Sequence, residues 1–305
     1  MKKIIPADPV GWADFGEFIF RQREADPGYY ILDYLRKDGY SPQQLKRFCV
    51  AWTSFYNLGI AAKASELTGG KFYDYLVAMY PTAKRASERR HFRGAAGLKA
   101  ITQWRTKWSR PEGLVDFIMR DAIDGDVTPT MGDIRGRCAS VAQMGDYFKW
   151  KWGDLTEVLY QKPVDFRDWV KHSPKVPVLG AMLISAEEGW GEGQDFSIRE
   201  TYLQLVAEMR KRKVKSYYAP WRSFDVQDAE TICCVYKQYR SGSYHPGIRT
   251  AKAFARLYKD GENCKTAEAA IAHLLSEQPQ PLFRVPATLA EILNGDRIVR
   301  VQALL

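Results

Sequence analysis

Apolar residues recur at helical spacing along almost the whole chain. Positions three, four and seven apart share one face of a helix. Runs with that period predict helices over 13–24, 28–38, 42–67, 71–80, 83–88, 94–109, 112–122, 131–142, 145–159, 164–171, 177–187, 226–240, 247–259 and 265–276. Start signals support several of them. Ser41-Pro42-Gln43-Gln44 combines an N-cap, a proline at the first helical position and a capping-box glutamine. Ser197 with Glu200 and Thr288 with Glu291 have the same capping-box form, and Tyr202, Leu205, Val206 and Met209 continue the first of these as an apolar face. From Leu289 on, one further helix and a tail are expected. Pro174 to Leu183 reads either as a strand or, given Gly180 and its small neighbours, as a buried helix. The class is therefore all-α. No repeat or low-complexity tract interrupts the pattern. Breaks near 124–129, 188–193 and 278–281 suggest one compact helical body over 1–305, with approximate lobes 1–187 and 194–305.

Charge adds a partner to this picture. The 305 residues carry a net +9 with a pI of about 9.2, and the excess sits in two blocks. Lys84–Arg110 holds nine Lys/Arg against one acid, and Phe196–Asp260 holds thirteen against six. Blocks of this kind suit a surface that follows phosphates. Bases interleaved with rings, as in Gln103–Trp108 and Tyr147–Trp152, suit unstacked nucleotides. Five scattered cysteines without a Cys-x-x-Cys pair, and only four histidines, suggest neither a disulfide framework nor zinc, and point to reducing cytoplasm. Met1-Lys-Lys-Ile-Ile reaches Pro6 and Asp8 too soon for a signal peptide, and no apolar run reaches membrane-spanning length.

Two segments carry candidate chemistry. On a helix over 226–240, Glu230, Cys233, Cys234 and Lys237 form one stripe, followed at once by Tyr239, Arg240, Tyr244, His245 and Arg249. A carboxylate, two thiols and an ammonium are poor choices for burial unless something uses them. The second segment runs from Arg135 and Arg137 through Met144-Gly145 to Lys149, Asp154 and Leu155. It has the rhythm of a helix-hairpin-helix element, in which a glycine turn offers backbone N–H groups to a phosphate. Only one of the two glycines of the full pattern is present.

Together with Phe55-Tyr56-Asn57, these segments resemble the alpha-glutamyl/putrescinyl thymine pyrophosphorylases of phage DNA hypermodification, related to the helical domain of 5-hydroxymethyluracil DNA kinases. The likeness is carried in patches between about 55 and 250, and the chain departs from the pattern at Leu58-Gly59-Ile60. The resemblance implies a glycosylase-like helical fold and a transferase. An amino acid or polyamine would displace pyrophosphate from 5-(pyrophosphoryloxymethyl)uracil in DNA, in the host cytoplasm if the chain is phage-encoded. A kinase loop is disfavoured, because Phe72 follows Gly69-Gly70-Lys71 where a hydroxyl is needed.

For that reaction the candidate roles are as follows. Glu230 is the base for the amine. Cys234 is a thiol able to add to C6 of the ring, its thiolate favoured by Lys237. Lys237, Arg240, Arg249 and Arg93 would meet the leaving pyrophosphate, and magnesium would share that work if a metal is used, although no acidic cluster demands one. Tyr239, Tyr244 and Trp221 would stack on the extruded base. Asn57, Arg135, Arg137, Gly145, Lys149 and Asp154 would contact DNA. Two rivals remain: a glycosylase or lyase using Asp165 or Asp168, and a DNA-binding protein without chemistry.

Overall fold

The computed structural model describes residues 10–83, 94–123, 127–190, 195–216, 219–244 and 247–276. Their regular elements are all helical: α1 (Trp12–Arg21), α2 (Pro27–Lys37), α3 (Pro42–Phe55), α4 (Leu58–Ser65), α5 (Gly69–Met79), α6 (Gly94–Lys107), α7 (Pro111–Ile118), α8 (Arg120–Ile123), α9 (Met131–Ala139), α10 (Asp146–Tyr160), a 3-10 helix (Arg167–His172), α11 (Lys175–Glu188), α12 (Ile198–Lys211), α13 (Val226–Arg240), α14 (Ile248–Asp260) and α15 (Lys265–Ser276). The all-α class is as expected, and the ambiguous stretch after Pro174 is helix. Among the described residues Lys215 and Ser223 form an isolated antiparallel bridge. The helix expected from Leu289, most of 83–88, Arg93 and His245 lie outside the described residues.

The helices group into two compact units assembled from separated stretches. Among the described residues, the first takes in the chain up to Pro27 and Asp165–Ala251, and the second takes in Gly28–Val164 and the chain from Lys252. In the first unit, α13 packs chiefly on α11 and also on α12 and α1, burying Phe15, Ile19, Ile184, Leu205, Met209, Ile232 and Tyr236. In the second, α3, α4, α7, α10 and their neighbours bury Phe48, Trp52, Phe55, Ile60, Leu114, Phe148 and Trp152.

Two of the predicted helices are each divided for local reasons, and the one expected over 164–171 is the 3-10 helix Arg167–His172. The single helix predicted over 42–67 is two. Tyr56 sits in the left-handed region at φ 53, and Asn57 then caps α4, accepting from the N–H of Gly59 and Ile60 at 3.1 and 3.2 Å. The run at 112–122 divides at Met119 into α7 and the one-turn α8. The capping box at Ser41 forms in full, whereas Ser197 supplies only its own half, accepting from Glu200 N–H at 3.3 Å.

Close helix approach fixes two glycines. A Cβ on Gly180 in α11 would lie 2.0 Å from the carbonyl oxygen of Cys233 in α13, and one on Gly59 in α4 would lie 2.1 Å from the carbonyl of Arg256. The second accounts for the glycine at position 59. Backbone cannot swing aside as a side chain can, so Gly180→Ala is expected to destabilise by about 3 kcal/mol, the upper end of overpacking effects. Gly136, inside α9 with open space around it, should respond with the opposite sign, gaining about 0.5–1 kcal/mol as alanine. Denaturant unfolding of both variants checks the pair; a neutral Gly180→Ala would show that α11 and α13 are not held this tightly.

Candidate functional site

Helix α13 begins with a reciprocal cap. Asp225 accepts from Val226 N–H at 2.8 Å, while Asp228 accepts from Asp225 N–H at 2.9 Å. The predicted stripe lies on this helix, and burial grades along it. Glu230 is 5% exposed and Cys233 is fully buried, whereas Cys234 and Lys237 are half-buried. Burial pushes the Cys233 thiol well above its ordinary pKa, and the Glu230 carboxylate pushes it further. The Tyr202 phenol of α12 is raised in the same way, by burial first and then by Cys233 and Glu230. Cys233 is thus held as a neutral thiol. Cys234 is the accessible sulfur of the pair, and Gln238 Nε2 donates to it at 3.3 Å.

The groups that follow the stripe are mostly structural. Tyr239 stacks on Phe15 with centroids 4.6 Å apart, Tyr244 meets the same ring edge-on, and both are buried. Neither offers an open face to a base. Of the three rings proposed for stacking, Trp221 is the exposed one, at 44%. Arg240 pairs with Glu187 and donates to the Tyr236 hydroxyl at 2.8 Å. Arg249 donates to the Ala25 carbonyl and lies 5.3 Å over the Tyr244 ring, and its backbone N–H donates to Glu24 at 2.8 Å. Both arginines are therefore engaged in the fold. Lys237 makes no ion pair among the described residues, so it is the cation of this stretch best placed to meet an anion.

In the second unit the stretch read as a helix-hairpin-helix element folds as α9, a turn and α10. Its left-handed residue is Gln143 at φ 62, not the glycine. Gly145 is the N-cap of α10 in an extended conformation, exposed and with open space where a Cβ would be. The turn therefore does not require glycine for its own shape. Arg137 donates to the Ile118 carbonyl at 3.0 Å and pairs with Asp121, which makes it a clamp on α7 and α8 rather than a free cation. Arg135 and Lys149 both face Asp146, at 3.7 and 3.0 Å. Asn57 is fully buried as the cap of α4, and its amide donates to Asp260 at 2.6 Å. Asp154 is 1% exposed, accepting from the Tyr29 hydroxyl at 2.6 Å and from Lys151 at 3.3 Å. Asn57 and Asp154 are thus internal, and direct contact with DNA does not fit their placement.

One group in this unit escaped the sequence reading. Tyr147, Lys151 and Asp154 share a face of α10, spaced four and three residues apart. The Lys151 ammonium is buried beside Asp154, 4.9 Å from the Tyr29 ring and 5.7 Å from that of Tyr147. Tyr147 donates to the Tyr56 hydroxyl at 3.1 Å, and Tyr56 stacks on Trp52 with centroids 4.9 Å apart. The face runs from exposed Asp146 through half-buried Tyr147 to buried Asp154. The spacing of Lys151 and Asp154 was a usable signal, but the run Tyr147–Trp152 also reads as a basic, solvated surface.

Of the rival acids, Asp165 is tied to Arg167 at 2.6 Å. Hydrogen bonding from that guanidinium holds its carboxyl below the usual range. No group of three or more His, Cys, Asp or Glu suited to a metal occurs among the described residues, so no side chain is assigned to magnesium. No helix among them is long and apolar enough to cross a membrane.

Comparison with known proteins places these segments in context. Residues 38–245 match the family described as Amino acid:DNA transferase. The chain is 24% identical over 301 residues to a Putrescinyltransferase of Delftia phage PhiW-14, covering 97% of this chain and 93% of that protein. It is 23% identical over 255 residues to a Glycinyltransferase of Pseudomonas phage PaMx11, covering 76% of this chain and 84% of that protein.

Proposed function

The chain belongs to the amino acid:DNA transferase family, and from that premise we propose that it joins an amine to 5-(pyrophosphoryloxymethyl)uracil in DNA with release of pyrophosphate. The observation that carries this reading is the family match itself, which spans both α10 and α13, together with two relatives named for the amines they transfer.

In the direct route the amine nitrogen attacks the exocyclic methylene carbon and the bond from that carbon to the pyrophosphate oxygen breaks. Glu230 takes the proton that the new C–N bond makes acidic. In the covalent route Cys234 Sγ adds first to C6. The electron pair pushed through the ring expels pyrophosphate and leaves an electrophilic methylene. The amine adds there, and loss of the thiolate restores the ring double bond. The accessible placement of Cys234, against the sealed placement of Cys233, supports Cys234 as the thiol if this route operates. Lys237 supplies positive charge toward the departing pyrophosphate.

The test is incubation of pyrophosphorylated DNA with the protein and a pool of amino acids and polyamines, followed by mass spectrometry of the nucleosides. A new nucleoside whose mass corresponds to one amine in place of pyrophosphate is expected. Release of a free base instead would point to glycosylase chemistry, and an unchanged nucleoside profile would leave DNA binding alone.

A further inference from the structure

We propose that the loop between α12 and α13 is a nucleic-acid contact, in which the Trp221 indole stacks on a base and Lys213 and Lys215 meet flanking phosphates. This rests on the reading of DNA as substrate and extends it to a surface outside the stripe.

From Arg210 to Phe224 the chain has six Lys/Arg and no acid. Lys211 lies 3.8 Å from Glu208 within α12, and the structure divides the other five cations into two kinds. The arginines build the loop. Arg210 Nε donates to the Phe224 carbonyl at 2.7 Å. Arg212 is held by Asp14 at 2.6 Å, Glu208 at 2.9 Å and Glu17 at 3.1 Å. Arg222 donates to Asp228 at 2.6 Å and to Gln227 at 2.8 Å. Lys213 and Lys215, by contrast, are exposed and make no ion pair among the described residues.

The base of the loop is fixed by buried polar bonds. Asp228 is fully buried and also accepts from Ser216 at 2.8 Å, Ala219 N–H donates to the same serine oxygen at 3.3 Å, and Lys215 bridges to Ser223. A buried carboxylate is costly unless satisfied, and here Ser216 and Arg222 satisfy it. Trp221 is 44% exposed. A large exposed ring beside exposed lysines, in a segment with no acid of its own, matches the requirements for a base face beside phosphates. A protein partner with an apolar surface would gain little from the lysines.

Three variants test this with an unmodified DNA duplex, titrated from low to moderate salt. Trp221→Ala is expected to weaken binding by about 5- to 150-fold, and Trp221→Phe should stay close to the parent protein. Lys213→Gln with Lys215→Gln should lower the slope of log K against log salt by about two. Because Trp221 is exposed, its variants should melt with the parent, which separates binding from folding. Trp221→Ala binding within twofold of the parent overturns the assignment. The amine-transfer assay on the parent protein keeps the two readings apart. Transfer with Trp221-independent binding removes the loop alone; Trp221-dependent binding without transfer removes the proposed reaction and leaves the loop standing.

Discussion

Lys151→Met is expected to remove about 3–5 kcal/mol of folding stability, the usual effect of taking one partner from a buried ion pair. Lys151 and Asp154 side chains are only 10% and 1% exposed, so solvent does little to screen either charge. Methionine fills most of the volume but withdraws the ammonium from a carboxylate that water cannot reach. The Tyr29 hydroxyl bond remains and compensates only in part. Replacing both partners, as Lys151→Met with Asp154→Leu, should recover much of the loss, because a well-packed apolar pair is often as stable as the ion pair it replaces. Denaturant midpoints for the two single variants and the double form a cycle. A single Lys151→Met effect below about 1 kcal/mol would show that the pair is not buried as described.

Glu230→Gln is expected to lower amine transfer by about 100- to 10,000-fold, the range set by loss of a positioned general base. The amide is nearly isosteric, so the packing of α13 on α11 and α12 should survive and the melting temperature should move little. Transfer at full rate by a folded Glu230→Gln protein would remove this residue from the chemistry. Cys234→Ser decides the separate question of the covalent route. Undiminished transfer leaves direct displacement, whereas a loss comparable to that of Glu230→Gln requires the thiol. The two results are independent, since either route needs a base.

Helix positions were legible because each amphipathic run must hide one face, and that demand is written locally in the apolar spacing. The break after α3 was harder. The apolar period continues across it, and what stops the helix is the left-handed Tyr56 with the side chain of Asn57 turned back onto the next N-terminus. Asparagine is a favoured cap, so a trace of the break was present, but the same residue also suited a DNA contact. The cations and rings near α13 were ambiguous for a related reason. A tyrosine between basic residues reads alike whether it faces a base or, as Tyr239 does, the Phe15 ring across more than two hundred residues of chain. Partners of Arg137 and Arg249 could not be read either, because a carbonyl acceptor leaves no mark in composition. The stripe itself was readable as a stripe; its gradient from buried Glu230 to half-buried Lys237 depends on α11 and α12, which periodicity does not place. The interleaving of segments into two units has no local signature at all.

That interleaving has a consequence for how the protein is made. Phe15 and Gly16 of α1 find their partners Tyr239 and Ile232 near the far end of the chain. At roughly 5–20 residues per second of synthesis, α1 waits on the order of 10–40 s after leaving the ribosome before α13 exists to receive it. During that interval the nascent chain carries an amphipathic helix whose apolar face lacks its α13 partner. Early expression should therefore be the vulnerable stage, the one at which a holdase chaperone or a slower growth temperature does most to raise the yield.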